Sequence, residues 1–234
     1  MKVFNFEKFT RVAAIVLVAL ELMCFPMIHF GSGGVDVLGC YLAIVLVALF
    51  ALVTIKGDRV GHLIRLGIAF TLVADYFLVI ADDSQLEGVI AFIAVQVCYF
   101  AYTLVREKRT RVRYINIASR AVLMVGLVIA TFAVLGEGAD ALAIASVLYY
   151  GNLVANAVFA FLLGKRERIF AIGLVLFAMC DIWIGLEVLF SSYLGSNVMD
   201  FVYSANYNLP WVFYQPSQIL IGLRLGELEM RNIK

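Results

Sequence analysis

Apolar positions in this chain fall in long unbroken runs, not in alternation. Eight runs stand out, at residues 10–29, 35–55, 65–81, 87–105, 118–135, 141–163, 169–190 and 207–223. Each is near the ~20 residues an α-helix needs to cross a hydrocarbon layer ~30 Å thick. A β-barrel would show ten-residue alternating segments instead. The connections are mostly short, and the longest, residues 191–206, is polar and aromatic. The pattern predicts an all-α fold, a polytopic transmembrane bundle of eight spans forming a single domain over residues 1–234.

Composition strengthens this reading. Of the 234 residues, 64% are hydrophobic, and the mean hydropathy is +0.98. Soluble domains are nearer half apolar. So large a surplus puts apolar side chains on the outer surface, facing lipid, where every backbone polar group must be satisfied within the protein. The first run is too long for a leader, carries Glu21 and is followed by no small-x-small site, so it reads as a retained helix. Cys24, Cys40, Cys98 and Cys180 all lie inside apolar runs without a CxxC pair and read as packing residues. His29 and His62 form no metal spacing, and neither a metal nor another cofactor is expected.

The charges orient the bundle. Lys2, Lys8 and Arg11 precede the first span, and Lys56, Arg59 and Arg65 lie between the second and third. Arg106, Lys108, Arg109, Arg111 and Arg113 follow the fourth, with Arg120 just inside the fifth. Lys165, Arg166 and Arg168 separate the sixth and seventh, and Arg224, Arg231 and Lys234 follow the eighth run. With eight crossings, all 18 Lys and Arg residues fall on one side, and the other side holds Asp36, Asp82, Asp83, Glu87, Glu137, Asp140 and Asp200. The positive-inside rule then places both termini in the cytoplasm. The expected location is a bacterial cytoplasmic membrane. Orientation alone accounts for the basic residues, so no nucleic-acid partner is implied.

Four carboxylates sit where lipid would be: Glu21, Asp75, Asp181 and Glu187. A charged Asp at mid-membrane costs roughly 2.5–3.5 kcal/mol on insertion scales. Glu21 is ten residues beyond Arg11, Asp75 ten beyond Arg65, and Asp181 thirteen beyond Arg168. At ~1.5 Å per residue, all three lie roughly 15–20 Å from the cytoplasmic helix ends. Gln96, Asn152, Asn156 and Gln218 fall at comparable depth on the returning helices, with Asn152 and Asn156 on one face. These residues either line a shared polar cavity or bind helices together by hydrogen bonds. Glu187 and Asp82 lie toward the outer ends, and Trp183 and Trp211 read as packing or interfacial residues.

For Asp75 and Asp181 a recurrence favours a site. Gly67 precedes Asp75 by eight residues, and Gly173 precedes Asp181 by eight. Each of these helices is followed by one with glutamine and tyrosine, Gln96 with Tyr99 and Gln218 with Tyr214. Four helices plus four in one orientation predict a parallel pseudo-twofold that would bring the two aspartates face to face.

The same residues resemble the lysoplasmalogenase family, the YhhN-like integral membrane proteins. The first block runs from Gly67 to Asp75 and continues through Gly88, Phe92, Gln96 and Tyr99. The second contains Gly173, Phe177 and Asp181 and closes with Tyr214, Ser217, Gln218 and Ile221. Departures are Ala74 and Cys180 before the two aspartates, where glycine and serine are usual, and Ser217 in place of alanine. The resemblance implies hydrolysis of the vinyl-ether bond of a lysoplasmalogen, a single-chain phospholipid, to a fatty aldehyde and a glycerophospho-headgroup compound. Asp75 and Asp181 would supply acid–base catalysis, because protonating the β-carbon demands a positioned acid and the oxocarbenium ion demands a nearby anion. Glu21, Gln96, Tyr99, Asn152, Asn156, Tyr214 and Gln218 would bind substrate or support the pair. Two other classes remain open on the residues: a proton- or cation-coupled transporter, since acids at a repeat interface suit that role as well, and a non-catalytic lipid-binding relative.

Overall fold

A computed structural model describes residues 5–55, 60–81, 84–189 and 208–231. Eight α-helices account for nearly all of them, and no strand occurs among the described residues. They are α1 (Phe6–Phe30), α2 (Val35–Val53), α3 (Gly61–Asp75), α4 (Gln85–Arg106), α5 (Thr110–Leu135), α6 (Ala141–Leu162), α7 (Arg168–Leu189) and α8 (Leu209–Arg231). The helix α3 continues directly into a π-helical turn, Tyr76–Ile80.

Local chemistry sets several of the ends. Asn5 caps α1 by accepting from the Lys8 N–H at 3.0 Å, and Asp140 caps α6 by accepting from Ala143 N–H at 2.7 Å. Gly136 (φ 56°) ends α5 and Gly164 (φ 93°) follows α6, in backbone conformations that side-chain-bearing residues adopt only under strain. Helix α5 starts eight residues before the apolar run does, because the basic stretch from Arg111 to Ile117 is helical too.

Seven of the helices are long and apolar enough to cross a membrane, and the chain is an integral membrane protein. Their outward faces carry exposed Ile, Leu, Val and Phe, Ile15, Val122 and Ile129 among them. The eighth helix, α8, is less apolar because it holds Gln215, Ser217, Gln218 and Arg224. All four are buried, so the bundle and not lipid receives them. The helices that pack on α8 are chiefly α7, α1, α2 and α3. By contrast α5 packs chiefly on α6 and buries only Asn116, Arg120 and Thr131.

Close helix contacts depend on glycine. A Cβ on Gly67 would stand 2.4 Å from a Tyr99 ring carbon, and one on Gly88 would stand 2.5 Å from Leu78. Gly173 similarly faces Ser217 O at 3.1 Å and Ile221 at 3.0 Å. Thus α3 approaches α4, and α7 approaches α8, at the glycines of the two sequence blocks.

One end of the bundle is locked by charge. Glu167, just before α7, accepts from Tyr102 Oη (2.7 Å), Arg106 Nε (3.0 Å) and Arg224 Nε and Nη2 (2.9 and 2.7 Å). Arg224 is 0% exposed. This cluster ties α4, α7 and α8 together. At the same end, Arg65 donates to the carbonyls of Ala51 and Thr54 and so closes the last turn of α2.

Candidate functional site

Asp75 ends the α-helical part of α3, where the π turn begins. Such wide turns interrupt regular pairing and recur at functional positions. Its carboxylate Oδ2 accepts a 2.7 Å hydrogen bond from Tyr214 Oη on α8. Asp181, two-thirds along α7, accepts a 2.7 Å hydrogen bond from Tyr149 Oη on α6. The two carboxyls are close enough for their charges to interact.

Phe177, one turn before Asp181, stands between the two tyrosines. Its ring lies 5.1 Å from that of Tyr214 and 6.3 Å from that of Tyr149, both edge-on. Phe92 on α4 completes the layer, stacked on Tyr149 at 5.3 Å and edge-on to Phe177 at 5.4 Å. Trp211 closes it beside Tyr214 at 5.0 Å. The site is therefore two Asp–Tyr pairs joined by a wall of aromatic rings. Phe92 precedes Gln96 by four residues as Tyr214 precedes Gln218. Phe92 has no hydroxyl to offer Asp181, and the Tyr149 stacked upon it supplies one.

Asp75 is 3% exposed, whereas Asp181 is only partly buried. Cys40 and Cys180 are free, buried thiols near the pair, and Cys24 and Cys98 are likewise buried and free. Among the described residues, no three His, Cys, Asp or Glu side chains converge as they would around a metal ion.

The remaining candidates take other places. Glu21 on α1 meets Gln215 on α8, which donates to its Oε2 at 2.9 Å and to its carbonyl at 2.6 Å. Gln215 follows Tyr214 and points about 100° away around α8, so Glu21 lies apart from the aspartates. Tyr99 packs between Gly67 and the ring of Phe170, at 5.3 Å from the latter. Gln218 donates to Ser217 Oγ at 3.3 Å. Gln96, Asn152 and Asn156 gather around Arg120, which donates to Asn152 Oδ1 (3.0 Å) and Asn156 Oδ1 (2.7 Å). Glu187 belongs to α7, and its side chain lies outside the described residues, as do Asp82 and Asp83.

Four contributors were not singled out from the sequence: Tyr149, Gln215, Glu167 and the role of Arg120. Tyr149 lies in an apolar helix beside Tyr150, and only the facing Asp181 distinguishes it. Arg224 follows the eighth run, where the orientation rule accounts for it, and Glu167 lies in the short basic connection between the sixth and seventh runs, where nothing in the sequence marks it.

The sequence model of the YhhN family matches residues 37–223. This chain belongs to the YhhN family, the family of lysoplasmalogenases. The match takes in both aspartates, both tyrosine partners and the aromatic wall. Comparison with curated proteins and with solved structures returned no significant match. In this YhhN-family chain Asp75 and Asp181 thus sit on the matched core, while Glu21 precedes it.

Proposed function

We propose that this protein is a membrane-embedded hydrolase that cleaves the vinyl-ether bond of a lysoplasmalogen. The observation that carries the proposal is the pairing of two aspartates, Asp75 buried and Asp181 partly buried, each with a tyrosine hydroxyl, across one aromatic wall within the family match.

The chemistry follows from the groups. Two neighbouring carboxyls in a low-dielectric site share a proton, because both cannot ionise together at little cost. The protonated member delivers its proton to the β-carbon of the vinyl ether, and an oxocarbenium ion forms. The ionised member and the faces of the aromatic rings stabilise that cation. Water adds to the cationic carbon and gives its proton to the ionised carboxylate. The hemiacetal then collapses to a fatty aldehyde and the glycerol hydroxyl, and the proton count returns to its start. The tyrosine hydroxyls hold the carboxyls in place through each exchange. The lipid tail would follow the apolar bundle. In this reading both termini are cytoplasmic, and the α3–α4 and α7–α8 units stand as pseudo-symmetric halves.

The test is aldehyde release from purified protein given lysoplasmenylethanolamine or its choline analogue, with Asp75→Asn and Asp181→Asn beside the wild type. Aldehyde from the wild type and from neither folded variant is the expected result. No aldehyde on either substrate from monodisperse protein overturns the proposal, and pH-dependent flux in liposomes would then identify a transporter.

A further inference from the structure

Gln96 ends in a donor that meets nothing. The residue is 1% exposed, and its Nε2 has no hydrogen-bond partner among the described residues. The two ends of a buried amide are ordinarily hard to tell apart. Here the neighbours decide. Arg120 has only donors to offer, so the oxygen of Asn156 faces it, at 2.7 Å from Nη2. That turns Asn156 Nδ2 toward α4, where it donates to Gln96 O at 3.0 Å and to Gln96 Oε1 at 2.9 Å. The Gln96 N–H groups must then point elsewhere. Arg120, Asn156 and Gln96 form a directional chain in which each group donates to the next.

The head of the chain is a cation held by neutral groups. Arg120 also donates to Asn116 Oδ1 (2.7 Å) and to Asn152 Oδ1 and O (3.0 and 3.3 Å), and it lies 4.3 Å from the Phe100 ring centre. No carboxylate pairs with it among the described residues. Its positive potential is therefore passed along aligned amide dipoles to the Gln96 N–H, and low dielectric strengthens such a series. Gln96 lies one turn along α4 from Phe92, whose ring stacks on Tyr149, the partner of Asp181.

We infer that Gln96 Nε2 binds an electron-rich oxygen, either of the substrate's glycerophospho portion or of the attacking water, and that Asn156 and Arg120 are positioning residues acting through it. This rests on the hydrolase reading above. A buried donor left unmatched selects for a ligand that supplies the acceptor.

The decisive variant is Gln96→Met. It removes the free donor and keeps the side-chain volume, while Asn156 retains its bond to the residue-96 carbonyl. If Gln96 merely packs helices, the exchange is tolerated. The inference expects kcat/KM on the vinyl-ether lysolipid to fall about ten- to a hundredfold with unchanged thermal unfolding. A raised KM, with weaker binding of an alkyl-ether lysolipid that cannot be hydrolysed, assigns the oxygen to the substrate. A lowered kcat with unchanged analogue binding assigns it to water. Asn156→Asp keeps its contact with Arg120 but loses the donor that orients Gln96, so it should show the same loss, and the double variant should be no worse than either single one. Wild-type kcat, KM and analogue binding in Gln96→Met overturns the inference. Failure of the wild type to release aldehyde would instead strike the hydrolase reading, and analogue binding would still test the donor.

Discussion

Asp75 and Tyr214 stand 139 residues apart in the chain and 2.7 Å apart in the fold. That bond joins α3 to α8 in the interior of a membrane protein, where a carboxyl without a partner would be costly. It also fixes which way the carboxyl faces. Removing the hydroxyl tests its contribution with little change in shape. Tyr214→Phe is expected to lower the rate of aldehyde release about ten- to a hundredfold while leaving the protein folded. Tyr149→Phe should behave likewise through Asp181. Steady-state kinetics on both variants, with size-exclusion profiles as the folding control, would check this.

A different kind of loss is expected at Glu167. Its two oxygens receive Tyr102, Arg106 and Arg224, and Arg224 is wholly buried. Glu167→Gln takes away the anion met by Arg224 Nε and Nη2 and leaves that buried guanidinium only the Glu227 contact of its Nη1 at 2.9 Å, at a cost of up to about 3–5 kcal/mol. Replacing the pair together, as Glu167→Met with Arg224→Met, should recover part of that loss, because the wholly buried guanidinium goes with its anion and the partners left behind, Arg106 and Glu227, are each partly exposed. Thermal unfolding in detergent distinguishes the two outcomes.

The connection between α4 and α5 carries a pH dependence. Hydrogen bonds from the Arg109 side chain, at 3.0 and 2.7 Å, hold the Glu107 carboxyl below its ordinary value of 4.5. The ionised form is thus favoured in the folded state. Its contribution is complete above the ordinary value and is lost as pH falls through the lower folded value. Stability should decline on acidification in that range, and Glu107→Gln should flatten the decline. Unfolding midpoints measured across mildly to strongly acidic buffers provide the check.

Glycines separate into those that hold helices close and those that do not. Gly67→Ala would drive a methyl into the Tyr99 ring and should cost about 1–3 kcal/mol. Gly126→Ala, on the open face of α5, meets no atom within 4 Å and should be neutral or stabilise by up to about 1 kcal/mol. Paired melting curves in one detergent would show the contrast.

Much of this architecture was legible because lipid imposes a simple rule on helices. The apolar run 141–163 and helix Ala141–Leu162 differ by one residue, and 169–190 against Arg168–Leu189 by one at each end. Hydropathy failed where polarity and helicity part company. It began α5 eight residues late, since Arg111 to Ile117 is polar but helical. It also ended the last run at residue 223, although the helix continues to Arg231 and buries Arg224 along with Gln215 and Gln218. Depth counting put Glu21, Gln96, Asn152 and Asn156 at one level with the aspartates, but depth says nothing of azimuth. Only packing shows that Glu21 turns to Gln215 and that the asparagines turn to Arg120. Tyr149 escaped notice for the complementary reason, since its partner lies on another helix.

The burial of α8 has a consequence for biogenesis. A segment that buries two glutamines, a serine and an arginine partitions poorly into lipid by itself. Its favourable surroundings exist only after α1, α2, α3 and α7 have gathered, and all four are synthesised before it. Ribosomal order therefore suits this chemistry: the seven earlier helices are long and apolar enough to cross a bilayer on their own hydropathy, and α8 would follow them into a setting where its polar side chains face protein. Moving α8 to an earlier position by circular permutation should leave the mature contacts available yet impair insertion.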